Sequence, residues 1–149
     1  MTDTTVQTMS ASDLRRALLG TWRLVSCKGQ VDGQDVITFG DHPQGYLVYT
    51  QDGHVFVQMA DPERRDLLRW TPARGPLLRE ATEADAALGA MNYWGTFEVL
   101  DGRQVIHHVE WHSVVASSAH DNTRSVTLDG DRLTLDTPVG AQLVWERVQ

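Results

Sequence analysis

Apolar and polar residues alternate with a period of two through most of this chain. That is the pattern of strands with one buried face. Eight such runs stand out, over 21–28, 45–50, 54–60, 92–99, 103–113, 123–128, 132–137 and 141–148. Short turns join most of them. Ahead of the first, residues 12–19 place Leu14, Ala17 and Leu18 on one face of a short helix. Ser12 is its expected N-cap and Gly20 its stop. The one long break is 61–91. Pro62, Pro72 and Pro76 forbid a central strand there. Glu80–Leu88 reads as a helix ended by Gly89, so the segment is a helical insertion between strands 3 and 4, a lid or a plug. Residues 1–10 read as a disordered N-terminal tail and 11–149 as a single domain.

Turn chemistry sets which side chains face inward, because a one-residue slip flips a whole strand. Leu100-Asp101-Gly102 as a three-residue loop pairs Val99 with Arg103, Phe97 with Val105 and Gly95 with His107. Tyr93, Phe97, Val99, Val105 and Val109 then share one face, along with His107 and Trp111. A three-residue loop at Gln51-Asp52-Gly53 gathers Leu47 and Tyr49 with Val55, Val57 and Met59. Another at Pro138-Val139-Gly140 gathers Leu133 and Leu135 with Leu143 and Trp145. A two-residue turn at Asp129-Gly130 sets Val126 opposite Leu133 and Arg124 opposite Leu135. Consecutive hairpins with one apolar face make a meander. Eight strands of meander close into a barrel that removes exposed edges and can hold one small ligand.

Composition narrows the functions such a barrel can have. The chain has 149 residues and carries 13 Lys+Arg against 20 Asp+Glu, a net −7. Without a basic run, it is expected to avoid nucleic acid. No stretch approaches the roughly 20 apolar residues of a membrane span, so no membrane association is expected. The single Cys27 permits no internal disulfide and is expected on the face opposite Trp22. The polar N-terminus is unlike a signal peptide, and the expected compartment is the cytoplasm. Nucleophile elbows, phosphate loops and Cys-x-x-Cys pairs are absent from the sequence.

A family resemblance adds to this reading. Gly20-Thr-Trp22-Arg-Leu-Val-Ser26 resembles the opening strand of a lipocalin-like (calycin) barrel. Leu143-Val-Trp145-Glu-Arg147 fits its closing strand, where calycins set a late Arg against the early Trp. Over nearly its whole length the chain resembles the bacterial and fungal lipocalin-like domain family. The matching pieces include Gly45-Tyr-Leu-Val-Tyr49, Tyr93-Trp-Gly95-Thr-Phe97, Val105-Ile-His-His-Val-Glu110 and Arg124. The resemblance implies an eight-stranded antiparallel up-and-down barrel. Related small barrels act as cyclases or isomerases in natural-product pathways. The missing disulfide departs from secreted lipocalins and argues against extracellular transport. The competing fold is a double-sheet jelly roll such as a cupin.

The inner face supplies the candidate chemistry. His107 is the most versatile acid or base on it; the alternative is a hydrogen-bonded core histidine. Arg124 could clamp a carboxylate, enolate or carbonyl oxygen; the alternatives are a pair with an internal carboxylate or a barrel-mouth position where it reaches water. Tyr49 and Tyr93 bring hydroxyls to the same face. Val57, Met59, Phe97 and Val109 are expected to wall the ligand, with Trp111, Leu135 and Trp145. On the opposite face of the same strand stand His108, Glu110 and His112. Alternate strand residues lie about 7 Å apart, so His108 and His112, about 13 Å apart, are too distant for one metal ion. A register slip would turn this trio inward as the acid/base set. No metal and no cofactor are expected.

The expected function is binding of a hydrophobic, natural-product-like small molecule, with cofactor-free isomerisation or cyclisation by His107, Arg124, Tyr93 and Tyr49. The alternative is a non-catalytic intracellular carrier. A protein-interaction module has no patch or repeat in its favour. The oligomeric state is open, with a dimer as the candidate assembly.

Overall fold

A computed structural model describes residues 9–31, 34–37, 39–63, 89–113 and 120–149. Among the described residues one helix, α1 (Ala11–Leu18), precedes nine strands. They are β1 (Gly20–Val31), β2 (Gln34–Ile37), β3 (Gln44–Tyr49), β4 (His54–Ala60) and β5 (Ala90–Leu100), then β6 (Gln104–His112), β7 (Asp121–Asp129), β8 (Arg132–Asp136) and β9 (Gln142–Arg147). The helix expected over 80–88, and most of the tail expected over 1–10, lie outside the described residues.

All pairings are antiparallel: β1 pairs with β3, each of β3 to β8 pairs with the next in sequence, and β9 returns to β1. Eight strands thus close an up-and-down barrel without a crossover, which rules out the jelly roll. β2 was not expected. At Lys28 one edge of β1 meets Gln142 and the other meets Ile37. β2 therefore prolongs β3 along the same edge, and the two act as pieces of one second strand.

Two hairpins have the expected register. Tyr49 faces Val55, and Leu135 faces Leu143. The other two differ by two residues. Val99 faces Val105 rather than Arg103, and Val126 faces Leu135 rather than Leu133. The first loop is 101–103, where Gly102 and Arg103 both take positive φ. The second turn lies at Gly130-Asp131. A shift of two preserves the face of every side chain, so the inner face survives both changes.

Two β-bulges do change it. In β6, Gly95 faces Val109 and Trp94 faces Trp111, so Glu110 is an extra residue. Beyond it the alternation flips. Trp111, expected inside, is 42% exposed and stacks on Trp94 at 4.7 Å. His112, expected outside, is buried. In β1 the extra residue is Val25, between Leu24 and Ser26. Cys27, expected opposite Trp22, therefore faces inward with it and is buried.

α1 closes one end of the barrel. Leu14 and Leu18 are buried in the core. The cap is Ser10, whose Oγ accepts from Asp13 N at 3.1 Å, and not Ser12, because the helix starts at Ala11. Trp22 Nε1 donates to Leu18 O at 2.9 Å. The Arg147 guanidinium lies 4.2 Å from the centre of the Trp22 ring and donates to Ala17 O and Leu19 O. It thereby satisfies carbonyls that the helix end leaves open and adds a favourable charge there. Arg15 pins the helix to the next turn through Gln51 O and lies over Phe97.

The β6 bulge needs a glycine opposite it. A side-chain carbon at Gly95 would lie 1.9 Å from His108 O and 3.0 Å from Glu110 N. Gly95→Ala is expected to destabilise the protein by about 1–3 kcal/mol through forced strand separation. Urea unfolding followed by tryptophan fluorescence measures this; an unchanged midpoint would mean the bulge tolerates a methyl group.

Candidate functional site

A cavity of about 320 Å³ opens inside the barrel, at the low end of the roughly 300–1,000 Å³ of small-molecule sites. Leu47, Val57, Met59, Leu135, Leu143 and Trp145 supply apolar wall. Tyr93, His107, His112, Asn122 and Arg124 come from three consecutive strands, β5 to β7, and give the cavity one polar side. Phe39 lines it too, with φ +62, a conformation an aromatic residue rarely takes. A larger hollow of about 510 Å³ lies where β3, β4 and β5 end, but its described lining has no charged side chain and no histidine.

The polar side is organised by His107, which is 1% exposed. Tyr49 Oη lies 2.7 Å from its Nε2, and Tyr93 Oη lies 2.7 Å from its Nδ1. The register makes this meeting possible: Phe97 faces His107, and Tyr49 packs edge-on against Phe97 at 4.7 Å. Burial, reinforced by the charges of Arg124 and His108, lowers the His107 pKa to about 3. The ring is therefore neutral near pH 7, with one N–H and one bare nitrogen.

Hydrogen-bond accounting assigns the tautomer. Tyr49 is 1% exposed and its hydroxyl has His107 as its one partner among the described residues. If Nε2 carried the proton, the Tyr49 O–H would be a buried donor without an acceptor, at a cost of about 1–3 kcal/mol. Tyr49 therefore donates to Nε2, and Nδ1–H donates to Tyr93. The Tyr93 proton is left over. Tyr93 lines the cavity, with Asn122 as a hydrogen-bonding neighbour. Burial raises the pKa of both phenols, so each keeps its proton near neutral pH.

Arg124 faces Val105 across β6–β7, two residues from Asn122 on the same side of β7. Its Nη1 donates to Thr123 O at 3.0 Å. Among the described residues no carboxylate lies within ion-pair distance of it. The internal carboxylate that one structural alternative required is not among them, and Arg124 is only partly buried.

The expected wall residues divide. Val57, Met59, Leu135 and Trp145 line the cavity. Phe97 and Val109 are buried in the core but do not reach it, and Tyr49 acts only through His107. Trp111 is outside. His108 stands on the outer face between Asp121 at 2.8 Å and Glu98 at 2.7 Å, and both carboxylates raise its pKa. Glu110 is exposed beside it. Among the described residues no His, Cys, Asp and Glu cluster could hold a metal ion. No described helix is long and apolar enough to cross a membrane. Sequence reading missed Cys27 and His112, which the bulges turned inward, and Phe39, Met91 and Asn122, which lay outside every expected strand.

Comparison with known proteins agrees with this architecture. The lipocalin-like domain family matches residues 19–148. A lipocalin-like protein from Bacteroides uniformis superposes with a TM-score of 0.51 at 12% identity, over 88% of this chain and 98% of its own. An uncharacterized protein from Bacteroides eggerthii gives 0.48 at 10% identity, over 88% and 99%. A variant of the fluorescent protein UnaG gives 0.36 at 14% identity, over 89% and 97%. No functionally curated protein matches the chain.

The buried histidine makes stability depend on pH. Its folded pKa lies below its unfolded value near 6.5, so the unfolded chain binds the extra proton between the two. Its contribution is complete above about pH 6.5 and is lost as pH falls towards 3. His112, also lowered by burial, adds in the same direction, and His108 opposes it. Between pH 7.5 and 4.5 the parent should lose about 2–3 kcal/mol more stability than His107→Gln. Urea titrations of both proteins at the two pH values test this; equal losses would show that His107 is not the responsible group.

Proposed function

Because the chain belongs to the lipocalin-like domain family, we propose that its barrel is a receptor for one hydrophobic small molecule. The observation that carries this reading is the cavity itself. Apolar side chains wall most of it, and most of its polar groups gather on the side formed by β5 to β7. Such a site binds by removing apolar ligand surface from water, at about 25 cal/mol per Å², while a few polar groups fix orientation. The N-terminal helix blocks one end of the barrel, so a ligand enters from the other.

A second reading, isomerisation or cyclisation of the bound molecule, is favoured by the Tyr49–His107–Tyr93 chain. His107 has both nitrogens engaged, so its role there is relay rather than free base. Tyr93 gives its hydroxyl proton to the substrate and is reprotonated from Nδ1, while Nε2 takes the proton of Tyr49. Reversal of these transfers, with a proton taken from another substrate position, completes an isomerisation with no net proton, oxidant or cofactor consumed. Arg124 would stabilise negative charge on a substrate oxygen, and the apolar walls would exclude water.

Occlusion tests the receptor reading. Leu135→Trp extends an indole into the cavity from a residue that is 2% exposed. Titrated with the neutral dye N-phenylnaphthylamine, the parent should enhance its fluorescence with a single site per chain. The variant, if folded by circular dichroism, should bind at least about tenfold more weakly. Undiminished binding would place the dye outside the cavity. For any substrate that the parent converts, Tyr93→Phe and Tyr49→Phe should each slow turnover; unchanged rates would leave the receptor reading alone.

A further inference from the structure

We infer that the molecule held in the cavity is an acid: an amphipathic ligand whose monoanionic head pairs with Arg124 and accepts a hydrogen bond from Tyr93. The inference rests on the receptor reading and adds the chemistry of the ligand to it.

Two independent observations carry it. The first is charge. Among the described residues, Arg124 is the one side chain lining the cavity that is charged near neutral pH, and it has no carboxylate partner. Its one described hydrogen bond goes to the neighbouring carbonyl of Thr123, which leaves most of its five donors unused. A partly buried guanidinium beside apolar walls is poorly solvated, and an oxyanion is the group that compensates it best.

The second is hydrogen-bond polarity. The accounting at His107 sends both network protons in one direction, from Tyr49 to Nε2 and from Nδ1 to Tyr93. The spare group at the cavity is therefore a donor, the Tyr93 O–H. Arg124 likewise has only donors. Together these two groups favour a ligand head that only accepts, with Asn122 and His112 beside them able to donate or accept. Carboxylates and sulfonates do so, and charge-assisted bonds to them are about twice as strong as neutral ones. An alkylammonium ligand would meet the Arg124 charge and, among the described lining residues, no carboxylate to offset it.

The net −7 of the chain does not reverse the preference. Exposed charges are screened over about 8 Å at physiological salt, whereas Arg124 acts within the cavity. It bears electrostatically on Tyr49, Tyr93 and His107 together.

Two dyes with one aromatic skeleton test the assignment: anilinonaphthalene sulfonate, an anion, and N-phenylnaphthylamine, its neutral counterpart. Both are titrated into the parent, Arg124→Met, Arg124→Lys and Leu135→Trp in 0.15 M salt. Arg124→Met should weaken the sulfonate by about tenfold or more, and the neutral dye far less. Arg124→Lys should keep most of the sulfonate affinity, and Leu135→Trp should weaken both dyes. Equal loss of both dyes in a folded Arg124→Met, or no loss of either, overturns the anion assignment and leaves the receptor intact. Sulfonate binding that persists in Leu135→Trp is a surface event and also overturns it. If the parent binds neither dye, the receptor reading is what fails.

Discussion

A barrel exists only if its last strand finds its first, and here that meeting is secured by one cation. Arg147, near the end of the chain, lies over Trp22, near the start of β1, and reaches past it to the last carbonyls of α1. One side chain thus ties together the two strands that close the sheet and the helix that closes its end. The sequence separation is about as large as the chain allows, so the loop-closure entropy is high, and it grows only logarithmically with length. What offsets it is local: a cation–π contact out of bulk water, two bonds to otherwise unpaired carbonyls and the indole N–H bonded to Leu18 O. With that end sealed, the ligand cavity can exist only towards the other.

The up-and-down fold was legible because parity is robust. Two turns stand one residue away from their expected position, which shifts the pairing across them by two, yet Val99, Val105, Val126 and Leu135 all remain inside. An error of two leaves a period of two unchanged. Bulges are different, because each inserts one residue and inverts everything beyond it. Nothing in Trp-His-Ser at 111–113 distinguishes a continuing strand from a bulged one. In retrospect the signal was Gly95, a residue without a side chain in the middle of an aromatic strand, where isolated glycines often mark bulges. The same device in β1, at Val25, has no glycine beside it in sequence, and the position of Cys27 could not have been read from local pattern.

The candidate site was legible to the extent that it lies between the bulges. His107, Arg124, Tyr93 and Tyr49 were all placed on the inner face by register alone, and all four belong to one polar system. The division of labour among them was not. That Phe97 and Val109 stop short of the cavity, or that Tyr49 reaches only His107, depends on depth along the barrel axis. Alternation reports which face a residue occupies and carries no information on depth. The same holds for Leu47, Met91 and Leu143, whose apolar identity fits core and cavity wall equally well.

Two adjacent histidines show why face outweighs residue type. His107 and His108 differ by one position and share one backbone. Strand geometry sends their rings to opposite sides of the sheet. His107 enters a low-dielectric interior between two phenols, where the imidazolium has no carboxylate to pair with among the described residues, and it is held neutral. His108 emerges between Glu98 and Asp121, where the imidazolium has two, and its pKa rises. The coupling runs in one useful direction: positive charge on His108 further disfavours positive charge on His107. A neutral His107 is what lets Tyr49 donate to one nitrogen while the other donates to Tyr93. Protonation would put an N–H on both nitrogens and turn Tyr49 from donor to acceptor. The donor polarity at His107 is thus set first by its burial, with the charges of Arg124 and His108 acting in the same direction.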